Sequence, residues 1–233
     1  MTYVKENLAR VQAQVAEAER EAGRAGQTRM VAAVKYASND ELAALLSLGV
    51  AEVGENRVQQ LLEHLPVLER GGAKIHFIGS LQTNKVKYIV DKVALIHSVD
   101  SLRLAAEIER QAAKRGVCVG VLVEINGARE QAKTGVMPEE AEALCRAILE
   151  MPHLDLQGFM TMGPRFDSQA EYQAYFAGVR AQGQEIFARL LPEKTPIFSM
   201  GMSESYPAAI AAGADIVRVG RTLFSPSAQQ SSQ

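Results

Sequence analysis

What most constrains this chain is an alternation. Eight short apolar or β-branched runs recur along it: MVAAV (30–34), AEVG (51–54), IHFIG (75–79), ALIHSV (94–99), CVGVLVEIN (118–126), LDLQGFM (154–160), PIFSM (196–200) and DIVRVG (215–220). Stretches with apolar residues at helical spacing separate them. Strands alternating with helices predict parallel βαβ units, because a parallel neighbour needs a crossover that returns the chain to the same end of the sheet. Eight such units in 233 residues predict one closed (β/α)8 barrel of the TIM type. An open, doubly wound sheet is the alternative. One more helix precedes the first strand: Val4, Leu8, Val11, Val15, Ala18 and Ala22 share a face, and Gly23 and Gly26 end it.

Within the crossovers, Asn39 is expected to cap DELAALLSLG, Ser101 to cap LRLAAEIERQAAKRG, and Ser168 to open a helix running to about 191. Helical stretches are also expected over 59–68 and 83–90, after Pro138, and from Ser203. No shift in composition marks a second domain, so one barrel over 1–226 is expected, with a disordered polar tail at 227–233.

Composition excludes several classes. The formal net charge is -2 and no basic stripe stands out, which removes the electrostatic footprint of a nucleic-acid binder. No apolar stretch approaches the roughly 20 residues of a membrane span, and the charged N-terminus lacks the apolar core of a signal peptide. The two cysteines, Cys118 and Cys145, lie far apart and form no CxxC pair, which reads as reduced thiols in the cytoplasm. His64, His97 and His153 have no metal-ligand spacing with each other or with cysteine, so no metal is expected. His76 alternates with Ile78 and is expected to line the barrel as a satisfied core histidine; Glu124 and Asn126 are expected to form an interior polar layer.

Barrel active sites form at the C-terminal ends of the strands. That rule places Lys35, which ends the first run, at the mouth. A free lysine has a pKa of about 10.4. Partial desolvation at an apolar strand end would lower it and free the amine to form a Schiff base with a carbonyl. A lysine in a solvated loop is the commoner case, so Lys35 decides nothing alone. The second informative stretch is SMGMSESYPAAIAAGADIVRVGRTLF, 199–224. Barrels often hold phosphate in the loops after strands seven and eight. Here those loops carry Ser199, Gly201, Met202 and Ser203, then Gly220 and Arg221. Gly201 would let backbone approach an anion, and a helix start nearby would point N–H groups at it. Arg218 lies inside the last strand, where it is either half of a buried ion pair or a cation aimed into the mouth. A lysine, a phosphate cup and an arginine between them suit pyridoxal 5'-phosphate (PLP), which has an aldehyde, a phosphate and a ring nitrogen.

The chain also resembles a known family, the pyridoxal phosphate homeostasis proteins, whose barrel is similar to the N-terminal domain of alanine racemase (fold type III among PLP proteins). The resemblance runs from about 30 to 224. It rests on VAAVKY (31–36), GEN (54–56), HFIGSLQTNK (76–85), HSVDS (97–101), VLVEIN followed by AKTG (132–135), LQGFMTMG (156–163), SMGMS (199–203) and RVG (218–220), in that order. It implies that Lys35 carries PLP as a Schiff base, that Asn56 lies beside the cofactor, and that Arg218 faces the ring nitrogen. It implies too that Ser199, the Gly201–Ser203 loop and the residues after the last strand hold the phosphate. It implies a role in PLP supply without established turnover, and PLP-dependent apoenzymes as partners. Two positions depart from the pattern: Val34 stands where Ser or Thr is usual, and Arg221 where Thr is common, so the Arg221 guanidinium either replaces a phosphate donor or points away. The rivals are a PLP racemase and a Schiff-base aldolase acting on a sugar phosphate. A racemase would need a second base and the added dimer domain, for which no room is left after the eighth strand; a monomer is therefore expected. A barrel aldolase would carry its lysine on a later strand, and LDLQGFM has none.

Overall fold

The computed structural model describes residues 2–130 and 132–225. The polar tail expected at 227–233 lies outside them. Eight parallel strands close on one another in chain order, and the last pairs with the first. They are β1 (Arg29–Ala33), β2 (Glu52–Glu55), β3 (Lys74–Phe77), β4 (Leu95–Val99), β5 (Val119–Ile125), β6 (Leu154–Thr161), β7 (Ile197–Ser199) and β8 (Ile216–Val219). Closure buries both faces of the sheet, which is why the strands read as continuous apolar runs. Every residue of β4, β5 and β8 is buried.

The outer layer is α2 (Asn39–Ser47), α3 (Val58–Arg70), α4 (Leu102–Arg115), α5 (Ala141–Leu149), α6 (Gln169–Leu190), α7 (Tyr206–Ala211) and α8 (Arg221–Phe224). Ser38, not Asn39, caps α2: its hydroxyl accepts from the Glu41 N–H, and the Glu41 carboxylate accepts from the Ser38 N–H at 2.7 Å. Between β3 and β4 the expected helix is a 3-10 turn over Thr83–Tyr88; the crossover first runs through 78–82 without regular structure, which leaves length for one short winding. The leading helix α1 (Thr2–Glu21) buries Val4, Leu8, Val11, Val15 and Ala18 and packs against α2, α7 and α8. The Asn7 amide donates to the Leu223 and Ser225 carbonyls at 3.1 and 2.9 Å, closing the end of α8. Cys118 and Cys145 are both free.

Most of the core lies between sheet and helices. Inside the barrel there is only a small apolar plug of Val31, Leu95, Leu122, Met160 and Ile216, backed by Ile197. The rest of the interior is polar: His76, His97, Ser199, Glu124 and Arg218 are all buried.

One glycine makes closure possible. β5 and β6 slip by a residue between Val121–Leu156 and Leu122–Gly158, a bulge with Gln157 as the extra residue. Gly158 has φ +152, and a Cβ there would lie 2.0 Å from the Ile197 carbonyl oxygen and 2.5 Å from its nitrogen. Those are backbone atoms of the next strand, so no rotamer change relieves the overlap. Gly158→Ala should therefore cost at least ~3 kcal/mol in urea unfolding; a loss below about 0.5 kcal/mol would show that the bulge relaxes freely.

Candidate functional site

A single cavity at the C-terminal end of the barrel brings together Lys35, Asn56, Arg218 and the loops after β7 and β8. Lys35 lies two residues beyond β1. Its backbone is pinned: Val34 N–H donates to the Gly54 carbonyl at 3.0 Å, and the Gln60 side chain donates to the Lys35 carbonyl at 2.7 Å. The side chain is exposed, with Nζ 4.9 Å from the centre of the Tyr36 ring. The dry surroundings of the strand thus do not extend to the amine, contrary to the desolvation expected from the sequence. Asn56 follows β2 directly, and its Oδ1 is buried without a hydrogen-bond partner. An unpaired buried acceptor is costly, and the residue that carries it is one of those lining the cavity.

The loop after β7 lines the opposite wall through Met202, Ser203, Glu204 and Ser205, beside Gly220 and Arg221 from the end of β8. Gly201 makes the turn: its φ is +88, and a Cβ would lie 2.5 Å from that of Ala209. Gly201 itself is buried behind the wall, and its carbonyl accepts from Arg218 N–H at 3.1 Å. The helix expected to open at Ser203 starts at Tyr206; Ser205 accepts from Met202 N–H at 3.2 Å and keeps the loop coiled one turn longer. Ser199 does not line the cavity. It is wholly buried, and its hydroxyl is engaged inside the barrel by Arg218 and His97. The Arg221 guanidinium turns toward Glu204, 3.7 Å away, and both side chains are largely exposed.

Arg218 is the charged centre of the site. It is buried, donating through Nη1 to the Ser199 hydroxyl at 2.6 Å and carbonyl at 2.9 Å, and through Nη2 to the Thr161 carbonyl at 3.0 Å. Burial pulls the guanidinium down to about 10, with the Glu124 carboxylate working the other way. It stays cationic at neutral pH. Glu124 is itself pushed up by burial; the Thr134 hydroxyl, donating to it at 2.6 Å, opposes that rise.

Other polar residues have partners elsewhere. The His64 ring meets the buried Glu55 carboxylate at 2.5 Å, and His153 meets Glu109 at 2.7 Å. Lys133 pairs with Glu130 at 2.9 Å. Gln82 and Asn84 line a separate shallow groove with Ser101 and Arg103. Among the described residues no cluster of histidine, cysteine or carboxylate has the arrangement of a metal site.

Comparison with known proteins gives the family. The family described as alanine racemase, N-terminal domain, matches residues 7–228. The pyridoxal phosphate homeostasis protein of Aquifex aeolicus is 38% identical, over 94% of this chain and 96% of its own. That of Deinococcus radiodurans is 40% identical, over 92% and 97%. The chain belongs to the pyridoxal phosphate homeostasis protein family. Among solved structures, PipY of Synechococcus elongatus with PLP bound is 28% identical, superposes with a TM-score of 0.83, and is covered in full by 95% of this chain.

Two departures from the pyridoxal phosphate homeostasis pattern now have a location. Val34 packs in the outer core rather than in the cavity, so its position does not line the site. Arg221 stands at the rim, held toward Glu204. The sequence reading did not place Ile78, Met162 and Tyr172 on the wall. The motifs HFIGS and GFMTMG carried the first two, which follow the ends of β3 and β6. Tyr172 comes from α6 and is braced by Phe166, edge to face, with ring centres 5.1 Å apart. No local signal selects it.

Proposed function

We propose that this chain binds PLP at the mouth of its barrel and serves PLP homeostasis in the cytoplasm, as a monomer and without turnover. The observation that carries the reading is the single cavity shared by an exposed lysine, an asparagine with an unpaired oxygen, a buried arginine and two loops. Each fits a part of the cofactor. Lys35 would hold the group through its aldehyde carbon, a condensation that forms C=N and releases water. Ser203, Glu204 and Gly220 would offer backbone N–H groups to the phosphate, and Arg221 rim charge. Arg218 faces the ring nitrogen. A guanidinium holds five N–H groups and no acceptor, so it donates to that nitrogen and leaves it unprotonated. The ring would then be a weaker electron sink. Asn56 and Tyr172 wall the ring and exclude water. PLP-dependent apoenzymes are the partners that this role would serve.

The family relationship supports the same reading, since the relatives carry that name and PipY binds PLP. No lysine occurs on β6, which disfavours the aldolase. Among the described residues no helix is long and apolar enough to cross a membrane. The test is the near-visible absorption of the purified protein before and after borohydride, with the modified peptide mapped by mass. A reduced pyridoxyl group on Lys35 is expected. A colourless protein that takes up no added PLP would sink the proposal.

A further inference from the structure

A line of buried polar groups crosses the barrel from Arg218 near the mouth to Glu52, the first residue of β2, at the floor. Ser199 Oγ meets His97 Nδ1 at 2.9 Å; His97 Nε2 meets His76 Nδ1 at 2.9 Å; His76 Nε2 faces Glu52 Oε2 at 3.7 Å. That carboxylate oxygen has no hydrogen-bond partner, and its twin accepts from Arg29 at 3.2 Å. We propose that Ser199, His97 and His76 form a one-way hydrogen-bond chain, oriented by the charge of the Glu52 carboxylate at its foot, that positions Arg218 for its ligand. This inference rests on the assignment of Arg218 to the cofactor ring.

Its direction follows from its two ends, a donor-only guanidinium at the head and an acceptor-only carboxylate at the foot; the Ser199 hydroxyl alone, with one hydrogen and two lone pairs, would allow either direction. Arginine can only donate. The Ser199 hydroxyl accepts from Arg218 Nη1 at 2.6 Å, so its own hydrogen is free for His97 Nδ1. His97 then accepts at Nδ1 and carries its proton on Nε2. That proton points at His76 Nδ1, so His76 too carries its proton on Nε2, facing the Glu52 carboxylate. Every dipole in the line runs the same way, with a cation at its head and an anion at its foot. Such an ordered chain strengthens each link. Both rings are expected to be neutral: burial holds His76 down at about 4 and His97 well below its ordinary value, and Arg218 repels a proton on His97. The apolar plug of Val31, Leu95 and Leu122 keeps the line dry. The chain therefore fixes where the guanidinium sits and leaves Arg218 N–H groups not used by Ser199 and Thr161 available at the mouth.

The test is long-range 15N–1H NMR of the histidine rings in the full chain, before and after PLP is added, with PLP uptake followed in the same samples by absorption. The sequence has four histidines; His64 and His153 lie outside the line and act as internal references. His76 and His97 should both be neutral with the proton on Nε2. Their signals should move when PLP binds, and the references should not. Ser199→Ala removes one link without touching either ring. It should weaken PLP binding about tenfold, the effect of one hydrogen bond to a charged group, and shift the absorption maximum of bound PLP. A proton on Nδ1 of either ring would overturn the chain. So would PLP uptake that leaves both rings unmoved, or a Ser199→Ala protein with unchanged affinity and spectrum. If no PLP is taken up at all, the cofactor assignment falls and the positioning role with it, and Nε2 protons on both rings would then mark a purely structural line.

Discussion

A Lys35→Ala protein should lose all borohydride-trapped pyridoxyl label while unfolding at nearly the same urea concentration as the parent, within about 1 kcal/mol. The two halves of this expectation have separate causes. Loss of the label is all or none, because none of the other cavity residues named above carries a primary amine. Lys133, the next candidate, is paired with Glu130 and lies outside the cavity. Stability is spared because the Lys35 side chain is exposed and makes no salt bridge among the described residues; its ammonium group stands 4.9 Å from the centre of the Tyr36 ring. An exposed cation–π contact is worth about 0.5–1 kcal/mol at most. The turn itself is held by Val34 N–H and the Lys35 carbonyl, which the substitution keeps. PLP that still binds noncovalently would be held by the loops and Arg218 alone. Label appearing on another lysine at parental yield would show that the amine was misassigned.

Much of this architecture is legible in the sequence, for a physical reason. A strand buried on both faces must be apolar throughout, so each of the eight runs stands out and falls within a residue or two of the observed strand. The sequence also places Lys35, Asn56, Gly220 and Arg221 at strand ends, which is where the cavity forms. What it misses depends on register or on competing caps. Ser38 outdoes Asn39 because Glu41 three residues on completes a reciprocal cap, a signal present in ASNDE. Three serines precede α7, and the decisive residue is Pro207: it fits only the first turn of a helix, which sets the start at Tyr206. Ser199 reads as a phosphate ligand by position. Its real neighbours are set by its inward side of β7 and by side chains on β4 and β8, 102 and 19 residues away along the chain. Likewise, alternation predicts that His76 points inward, but only the pairing of His76 with Leu95 brings His97 one step above it, toward the mouth. Tyr172 arrives from a helix whose tilt no local pattern fixes.

That buried pair of imidazoles should make the protein acid-labile in a way one substitution can isolate. In the fold His76 is held down at about 4 and His97 well below its ordinary value, mainly because burial penalises the charged ring. For His76, Glu52 opposes the drop while Arg29 and Lys74 deepen it; for His97, His76, Arg218 and Arg29 all deepen it. Unfolded, each ring takes a proton near pH 6.5. Between that point and the folded value the unfolded chain binds more protons, so stability falls as pH falls. Each histidine contributes a slope approaching 1.4 kcal/mol per pH unit, and the stabilisation is complete above about pH 7. Two rings acting together remove about 5 kcal/mol by two units below the unfolded pKa, a large share of the 5–15 kcal/mol typical of a domain. The buried Glu55 and Glu124 carboxyls, both pushed up, work in the opposite sense, because the folded chain takes their protons first. The raw pH curve therefore mixes the two signs, and a difference separates them. Urea unfolding of the parent and of His97→Gln at pH 7, 6 and 5 should show the variant less stable at pH 7 but losing stability more slowly, by about 1.4 kcal/mol per pH unit below 6. Gln keeps an oxygen acceptor and an N–H donor but cannot titrate. Parallel slopes for the two proteins would mean that His97 already carries a proton in the fold, and the neutral, ordered interior would have to be abandoned.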